Sequence, residues 1–493
     1  MRPRRLSASP VPSGLCKAAL TLLFALAACG GGGDGQTPSG LATVSTLAYV
    51  VSRCHADANG GTLHQSLQIR RGEQAPITVV EHSVAGFDPG FTDARTLCSS
   101  IGAIRAATHM TAVGVFHRLG VTADGLQVVF EVTDDQPWTV FPPHGLPDEQ
   151  RGIFVVRADG SGLRRLGPAS SEPPYRRFQL SQQWTWPWFA SSPNSRMVTY
   201  TDRGPSVNNE DAIQISSLDL PTGNARLGTR LPPDPLPVAA CGSLLCPVFK
   251  DDQTIAFLTH ANLDGTNPDG ENISATVKTD GTGLTVSPPI AALPGSQLQT
   301  TFQITGSGVG VALLTREGTP VNAHQFTDKI QEVFVTDGHN LLQLTNFGRI
   351  DTFFATVSAD GQRVFFSASA DPLGTNPTEN CQVFSIDRNG GDLRQLTDFQ
   401  EAPEHSSTGC LYGRPPSGCG AFVVSRDLQS DALVFYSSCD PFGTNPYGSQ
   451  VFVMRQDGTG LRQITETQGY STDASGAVTV ELPFPFAQPG TPY

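Results

Sequence analysis

Residues 357–368 read VSADGQRVFFSA, and residues 382–398 read QVFSIDRNGGDLRQLTD. Asp-Gly and Gly-Gly pairs beside alternating apolar runs are the strongest short-range signal for a β-hairpin. The two stretches together therefore predict two hairpins, or four antiparallel strands. The first stretch recurs with variation at 121–132, 191–202, 249–260 and 424–437, and the second recurs at 152–167, 273–287, 332–346 and 450–465.

The repeats predict a ring of packed sheets. A sheet of four short strands cannot bury both of its faces alone, so the units must pack against each other, and closing them in a ring protects their edges. We predict an all-β chain, a β-propeller of four-stranded antiparallel blades over residues 44–485, with seven blades favoured over six. The alternating run at 477–484 is expected to join the first unit and close the ring. The turns of the second hairpins centre near residues 72, 160, 223, 281, 338, 390 and 458.

Composition agrees with a turn-rich β protein. The chain of 493 residues has 51 Gly and 38 Pro, and only 16% of its residues are charged, which argues against long solvated helices. Its 38% of apolar residues suffice for a buried core. The formal net charge of −13 repels phosphates, so we expect no nucleic acid partner and a monomeric chain.

The repeats resemble those of the TolB family of periplasmic propellers, whose blades carry the patterns S-x-D-G-x-x-aliphatic-x-aromatic and D-x-x-G-x-x-x-x-L-T. The resemblance is clearest at 121–167, 352–398 and 419–466 and weaker near 185–230 and in the first unit. It implies the propeller fold and, by analogy of fold, protein partners in envelope assemblies. Two features differ: the amino-terminal α/β domain of TolB has no counterpart here, and TolB has six blades.

The first 28 residues are typical of a bacterial export signal. Four basic residues and no acidic residue accompany an apolar run over 18–28, which is too short to cross a hydrocarbon core of about 30 Å. The run ends in Leu-Ala-Ala before Cys29, a quartet that resembles the lipobox of bacterial lipoproteins. We therefore expect residues 1–28 to be a lipoprotein signal peptide and the thiol of Cys29 to carry the lipid, including palmitate.

Residues 29–43 are rich in glycine and are predicted to form a flexible tether to the lipid. In bacterial lipoproteins, an Asp directly after the lipidated Cys is typical of proteins retained in the inner membrane. Here Gly30 occupies that position. Outer-membrane attachment is therefore favoured, on the periplasmic face or on the cell surface. The acyl chains are expected to be the protein's only contact with the membrane.

The cysteines indicate disulfide bonds. With Cys16 in the signal and Cys29 assigned to the lipid, an even number remains in an exported chain. The expected local pairs are Cys54 with Cys98, Cys241 with Cys246, and Cys410 with Cys419, which leaves Cys381 with Cys439, although three connectivities remain open for the last four. From the strand order we expect all eight on one rim of the propeller and none in a blade core. The eight are Cys54, Cys98, Cys241, Cys246, Cys381, Cys410, Cys419 and Cys439.

Three units share the sequence G-T-N-P in the link between their second and third strands. Asn262, Asp371 and Asp440 precede these sequences at matching offsets. Their side-chain oxygens are ligands that Ca²⁺ accepts, but the loops lack the dense D-x-D-x-D-G spacing of known calcium loops. Asp and Asn also shape turns by bonding their own backbone, so we expect no cofactor, with Ca²⁺ as the alternative.

Trp184, Trp186 and Trp188 alternate, so in an extended segment they point to one side. Packing between blades is the favoured role, and ligand contact is the alternative. His117 is a further candidate, because an inner strand would place it near the central channel.

The sequence does not name a ligand. It favours a binding module that presents a rim or channel to an envelope protein, a peptide or a glycan. The alternative is a metal-dependent polysaccharide lyase or hydrolase with its site at the propeller axis, as in the oligogalacturonate lyases that resemble this type of propeller. No G-x-S-x-G nucleophile turn occurs, which argues against a serine peptidase.

Overall fold

In a computed structural model of the chain, everything described below belongs to one compact unit, Leu41–Tyr493. The structure describes residues 41–85, 98, 116–133, 146–169, 189–232, 247–259, 261–263, 265, 267, 273–286, 296–298, 303–304, 310–317, 329–336, 340–348, 352–399, 420–427, 429–437, 439–444 and 450–485.

The described residues form an all-β fold of antiparallel sheets, numbered here in chain order. Sheet 1 begins with β1 (Leu47–Asp57), β2 (Gly60–Arg70) and β3 (Ile77–Ala85). Sheet 2 contains β4 (Phe116–Val121), β5 (Gln127–Val132), β6 (Gly152–Arg157) and β7 (Arg164–Gly167), with a short 3₁₀ helix at Asp148–Gln150. Sheet 3 contains β8 (Ala190–Ser191), β9 (Met197–Pro205), β10 (Asp211–Asp219) and β11 (Ala225–Leu227).

The later sheets repeat this order. Sheet 4 contains β12 (Val248–Phe249), β13 (Thr254–Thr259), β14 (Ile273–Lys278) and β15 (Thr285–Val286). Sheet 5 contains β16 (Ser296–Leu298), β17 (Gln303–Ile304), β18 (Gly310–Glu317), β19 (Lys329–Thr336) and β20 (Leu341–Gln343). Sheet 6 contains β21 (Thr352–Val357), β22 (Arg363–Ala368), β23 (Gln382–Asp387) and β24 (Arg394–Gln395), and sheet 7 contains β25 (Ala421–Arg426), β26 (Ala432–Ser437), β27 (Gln450–Arg455) and β28 (Arg462–Gln463).

Sheets 2 to 7 are thus each built from one continuous stretch, whereas sheet 1 joins both ends of the described chain. The last strands, β29 (Gly469–Thr472) and β30 (Val478–Pro485), complete sheet 1 in the order β29-β30-β1-β2-β3. β30 pairs with β1 so that Cys54 lies opposite Val480. This pairing confirms the predicted role of residues 477–484, although β29 adds a fifth strand that the sequence did not suggest.

The same closure is supported outside the strands. Both the backbone N–H and the hydroxyl of Ser45 donate to the carboxylate of Asp427, the hydroxyl over 2.8 Å. The backbone N–H of Ala42 donates to the carbonyl oxygen of Gly460 over 2.9 Å. The segment that precedes β1 is therefore fastened to sheet 7 by charge-assisted and backbone hydrogen bonds.

Neighbouring sheets pack face to face. Val128 and Phe130 of β5 lie in a cluster with Leu67 of sheet 1, whereas Val129 between them lies in a cluster with Val198 of sheet 3. Alternate side chains of one strand therefore pack on opposite neighbours. Because both faces are covered, central strands such as β5 are buried on both faces along most of their length. The predicted propeller of four-stranded antiparallel blades is confirmed, but six blades of continuous chain are found where the sequence favoured seven, because the first predicted unit shares its sheet with the last strands.

Candidate functional site

A cleft of about 570 Å³ opens between sheets 1 and 2. Three arginines line it, together with two aspartates and one exposed leucine, and we call it the arginine cleft. These residues are Arg71, Arg157, Arg164, Asp124, Asp159 and Leu126. Its volume falls in the usual range of small-ligand sites, about 300–1,000 Å³.

Turns from two sheets bring these side chains together. Arg71 follows β2 in sheet 1, whereas Arg157 ends β6 and Arg164 begins β7 in sheet 2. Leu126 lies in the turn between β4 and β5, and its carbonyl oxygen accepts a hydrogen bond of 2.9 Å from the N–H of Ala158. The cleft is therefore framed by backbone that the hairpins hold in place.

The two aspartates already have hydrogen-bond donors. The Oδ1 atom of Asp124 accepts from the hydroxyl of Thr122 over 2.6 Å and from the N–H of Leu126 over 2.9 Å. Asp159 accepts from the hydroxyl and the N–H of Ser161 over 2.6 and 2.9 Å. The Ser161 hydrogen bonds, with smaller help from the charges of Arg157 and Arg71, lower the pKa of Asp159. One carboxylate oxygen of each aspartate, Oδ1, is thus engaged by its own turn.

The arginines are less engaged. Arg71, Arg157 and Arg164 are all exposed. Within the described part of the chain none of them has a carboxylate within ion-pair distance. The Nη1 atom of Arg157 makes a long hydrogen bond of 3.5 Å to the Ser161 hydroxyl, and Nη2 of Arg164 donates to the carbonyl oxygen of Leu220. The remaining guanidinium donors face the cleft or solvent and can bind an anion.

A second charged group is closed to solvent. Arg118 of β4 and Glu131 of β5 form an ion pair of 2.8 Å with side chains 2% and 1% exposed. The guanidinium carbon lies 5.7 Å from the ring centre of Tyr200 in sheet 3. Burial, the largest cause, raises the pKa of that tyrosine. With no open face toward solvent, this pair joins sheets 2 and 3 and offers no direct binding surface.

The G-T-N-P residues serve their own loops. The Oδ1 atoms of Asn262 and Asp371 accept from the N–H groups of Asn267 and Asn376 over 3.0 and 2.8 Å. Asp440 accepts from the N–H of Thr444 over 2.7 Å. These bonds are what the turn-forming interpretation requires. Among the described residues, no group of three or more His, Cys, Asp or Glu is placed to hold a metal ion.

The predicted aromatic candidates lie mostly outside the described residues. Trp184, Trp186 and Trp188 belong to the undescribed stretch before β8. His117 lies on β4, but its side chain is outside the described part of the structure. Their proposed contacts with a ligand stay predictions.

Cys54 of β1 forms a disulfide bond with Cys98, which confirms this predicted pair, and the two Cα atoms are 5.5 Å apart. Both residues are buried in the hydrophobic cluster shared by sheets 1 and 2. The expectation that no cysteine lies in a core is therefore wrong for this pair. Sulfur packs as an apolar group, so a disulfide can take the place of aliphatic side chains there.

Two further cysteines lie at strand ends, as the rim prediction requires, but Cys439 also belongs to the hydrophobic cluster between sheets 6 and 7, so the expectation of no cysteine in a core is wrong for it too. Cys381 and Cys439 are both disulfide-bonded and buried. Cys381 lies directly before β23, and Cys439 lies two residues after β26, at the strand ends where the second and third strands are linked. Which cysteines they join stays a prediction. Cys29, Cys241, Cys246, Cys410 and Cys419 are outside the described residues.

The arginine cleft was not found from the sequence. A basic residue before the turn of the second hairpin recurs at Arg157, Lys278 and Arg455, so the repeat by itself gives Arg157 no distinction. The useful signal would have been the residue in the turn before the second strand, next to this basic residue in the folded sheet. It is Leu126 in sheet 2 but Asp431 in sheet 7.

The fold places the chain in the class of β-propeller proteins. No family model matches it, and no curated protein matches it. Solved structures that are similar include an oligogalacturonate lyase in complex with manganese, at 10% identity over 85% of this chain and 98% of that chain with a TM-score of 0.41.

Two other propellers are similar at the same level. A putative TolB from Agrobacterium tumefaciens is 9% identical over 89% of this chain and 99% of that chain, with a TM-score of 0.33. The propeller domain of the trilobed protease from Pyrococcus furiosus is 10% identical over 73% of this chain and 88% of that chain, with a TM-score of 0.39. In the described residues, no helix is both long and apolar enough to cross a membrane.

Proposed function

We propose that this chain is a lipid-anchored β-propeller of the cell envelope that acts as a binding module for a protein, a peptide or a glycan. The arginine cleft is the observation that carries the proposal. Its walls come from two sheets, and three guanidinium groups line it. A concave site with uncommitted donors is suited to holding a ligand.

The anchor is proposed from residues 1–43. Substituting Cys29→Ser should abolish the incorporation of radioactive palmitate and release the protein from the membrane fraction. Cys16→Ser is the matched control, because that thiol lies within the proposed signal. Labelling that persists in the Cys29→Ser variant would contradict the anchor.

We further propose that sheet 1 serves as a seventh blade beside the six sheets of continuous chain. The described strands support this arrangement, because β1 contacts β4 on one side and β30 contacts β27 on the other. Electron-microscopy averages viewed down the axis should show seven lobes, and six lobes would contradict the proposal. Light scattering should give the mass of a monomer.

Binding in the envelope is tested by site-specific photo-crosslinking in intact cells. A photo-reactive residue in place of Leu126, which is 54% exposed in the cleft, should give a defined adduct. The same residue in place of Leu342, which is 48% exposed on sheet 5, is the matched control. If neither position, nor Phe442 on sheet 7, gives an adduct, the binding function is contradicted.

A further inference from the structure

We propose, on the basis of the binding function above, that the arginine cleft recognises the free carboxyl terminus of a peptide whose last side chain is aliphatic. A terminal carboxylate is planar and carries two acceptor oxygens. Guanidinium groups match that geometry with paired N–H donors, so they bind carboxylates with defined orientation.

The charges in the cleft favour an anion. Three arginines line it against two aspartates, and one oxygen of each aspartate already accepts hydrogen bonds from Thr122 and Leu126 or from Ser161. The chain as a whole has a formal net charge of −13. A positive cleft on a negative protein attracts an anionic group locally and repels it elsewhere, which directs the ligand to this site.

In sheet 7, the arginine at the position equivalent to Arg157 has a carboxylate partner within the same sheet. Arg455 occupies the place of Arg157, since the N–H of Gln456 donates to Asp431 over 2.9 Å just as the N–H of Ala158 donates to Leu126. There the guanidinium of Arg455 lies 3.7 Å from the carboxylate of Asp431. Sheet 2 has Leu126 instead, so its arginine lacks this internal partner.

Arg164 likewise lacks the carboxylate partner that its equivalent in sheet 7 has. Arg164 pairs across the strands with Val155, as Arg462 pairs with Val453 in sheet 7. Arg462 forms an ion pair with Glu73, which the next sheet contributes. Arg164 contacts only the carbonyl oxygen of Leu220 within the described residues. The fold itself therefore does not require unpaired arginines at these positions, and they are a property of this cleft.

Apart from Gln127 and Gly162, the remaining lining is aliphatic. Leu126 is 54% exposed at the cleft, and its wall continues into the buried residues Val155, Val156 and Ala158. An aliphatic side chain adjacent to the carboxylate would cover Leu126, and removing that apolar surface from water is favourable. A bare phosphate would leave Leu126 exposed, and a sugar acid would place hydroxyl groups against it. The lining thus favours a peptide terminus.

Isothermal titration of the full chain tests this inference. The probe is acetyl-Ala-Ala-Leu with a free carboxylate, compared with the same peptide as its carboxyl-terminal amide. We expect the acid to bind at least about tenfold more tightly than the amide. Inorganic phosphate and glucuronate serve as the competing anions, and both should bind more weakly than the peptide acid.

Three variants locate the binding. Arg157→Gln should weaken binding of the peptide acid at least about tenfold, and Leu126→Asp, which supplies the carboxylate found in sheet 7, should weaken it as much. Arg226→Gln is the matched control, because Arg226 is exposed on β11 and away from the cleft. Its affinity should equal that of the unmodified protein. Leu126 is exposed, so its variant should fold even if Arg157→Gln does not.

The outcomes separate this inference from the proposed function. Equal affinity for acid and amide, or unchanged binding in Leu126→Asp, would overturn the inference. So would tighter binding of phosphate or glucuronate. If the peptide acid gives no heat while the photo-reactive residue at position 126 still gives an adduct, this inference fails and the binding function stands. If the peptide acid gives no heat and none of positions 126, 342 and 442 gives an adduct, both fail.

Discussion

Single residues decide how closely neighbouring sheets approach. Gly120 on β4 faces Phe189, which directly precedes β8 of the next sheet. A Cβ atom at Gly120 would overlap the carbonyl oxygen of Phe189 and lie 2.9 Å from its Cβ. The obstacle is backbone, which cannot turn aside like a flexible side chain. Gly120 therefore sets the spacing of the two inner strands.

Gly120→Ala should destabilise the protein by about 1–3 kcal/mol, because the added methyl group forces sheets 2 and 3 apart. The free energy of unfolding in urea measures the effect. Gly167→Ala is the matched control, since a Cβ there meets nothing within 4 Å among the described residues. Equal stability of the two variants would contradict the close-approach argument.

At the scale of elements, a buried hydrogen-bond cluster joins the third strand of a sheet to the segment after its outer strand. In sheet 6 the hydroxyl of Thr397 donates to Oε1 of Gln382 over 2.7 Å and accepts from the N–H of Val383 over 2.9 Å. Gln382 also bonds both backbone groups of Phe399. This cluster gives a structural reason for the Thr that ends the repeated pattern D-x-x-G-x-x-x-x-L-T. The equivalent pairs are Gln214 with Thr229, Glu332 with Thr345, and Gln450 with Thr465.

Replacing Thr397→Val keeps the shape but leaves the buried N–H of Val383 without its acceptor and removes one of the two donors to Oε1 of Gln382. The loss should be about 1–3 kcal/mol in the free energy of unfolding. Thr375→Val removes an exposed hydroxyl bonded to Gln395 and should change stability by less than about 0.5 kcal/mol. A loss no larger in Thr397→Val than in Thr375→Val would refute the role of the cluster.

The turns make stability depend on pH. Side-chain hydrogen bonds from Ser161 and Thr282 are the largest causes that lower the pKa values of Asp159 and Asp280. Because folding depresses these pKa values, the unfolded chain binds more protons as the pH falls. Melting temperature should be nearly constant above about pH 5 and decline from about pH 4 downward, through the lowered folded values. An unchanged melting temperature down to pH 3 would contradict this expectation.

At the scale of the whole molecule, closure depends on the last strand. Val480 of β30 is 2% exposed and lies in the cluster that includes Leu67 and Leu119, whereas its neighbour Thr479 points outward and bonds His55. One strand near the end of the chain therefore completes a core that begins near residue 47. This long-range pairing holds the two ends of the described chain together.

Val480→Lys should cost more than about 3 kcal/mol, because it buries an unpaired charge at the closure. Thr479→Lys carries the same charge on the outward side and should stay within about 1 kcal/mol of the unmodified protein. Urea unfolding and limited proteolysis of β1 report the opening. Comparable losses in both variants would show that closure does not depend on this buried contact.

The amino-acid sequence alone determined the hairpins, the four-strand unit, the pairing of residues 477–484 with the first unit, and the Cys54–Cys98 bond. The hairpins and the four-strand unit follow from turn residues and alternating burial, which act locally and repeat along the chain. The two long-range features were predicted from the strand missing in the first unit and from the even number of cysteines. Only the tertiary structure decided the extra strand β29, the burial of Cys54 and the arginine cleft. Each of these depends on which turns and side chains from separate sheets lie close together. A local sequence pattern does not specify the distance between residues of different sheets.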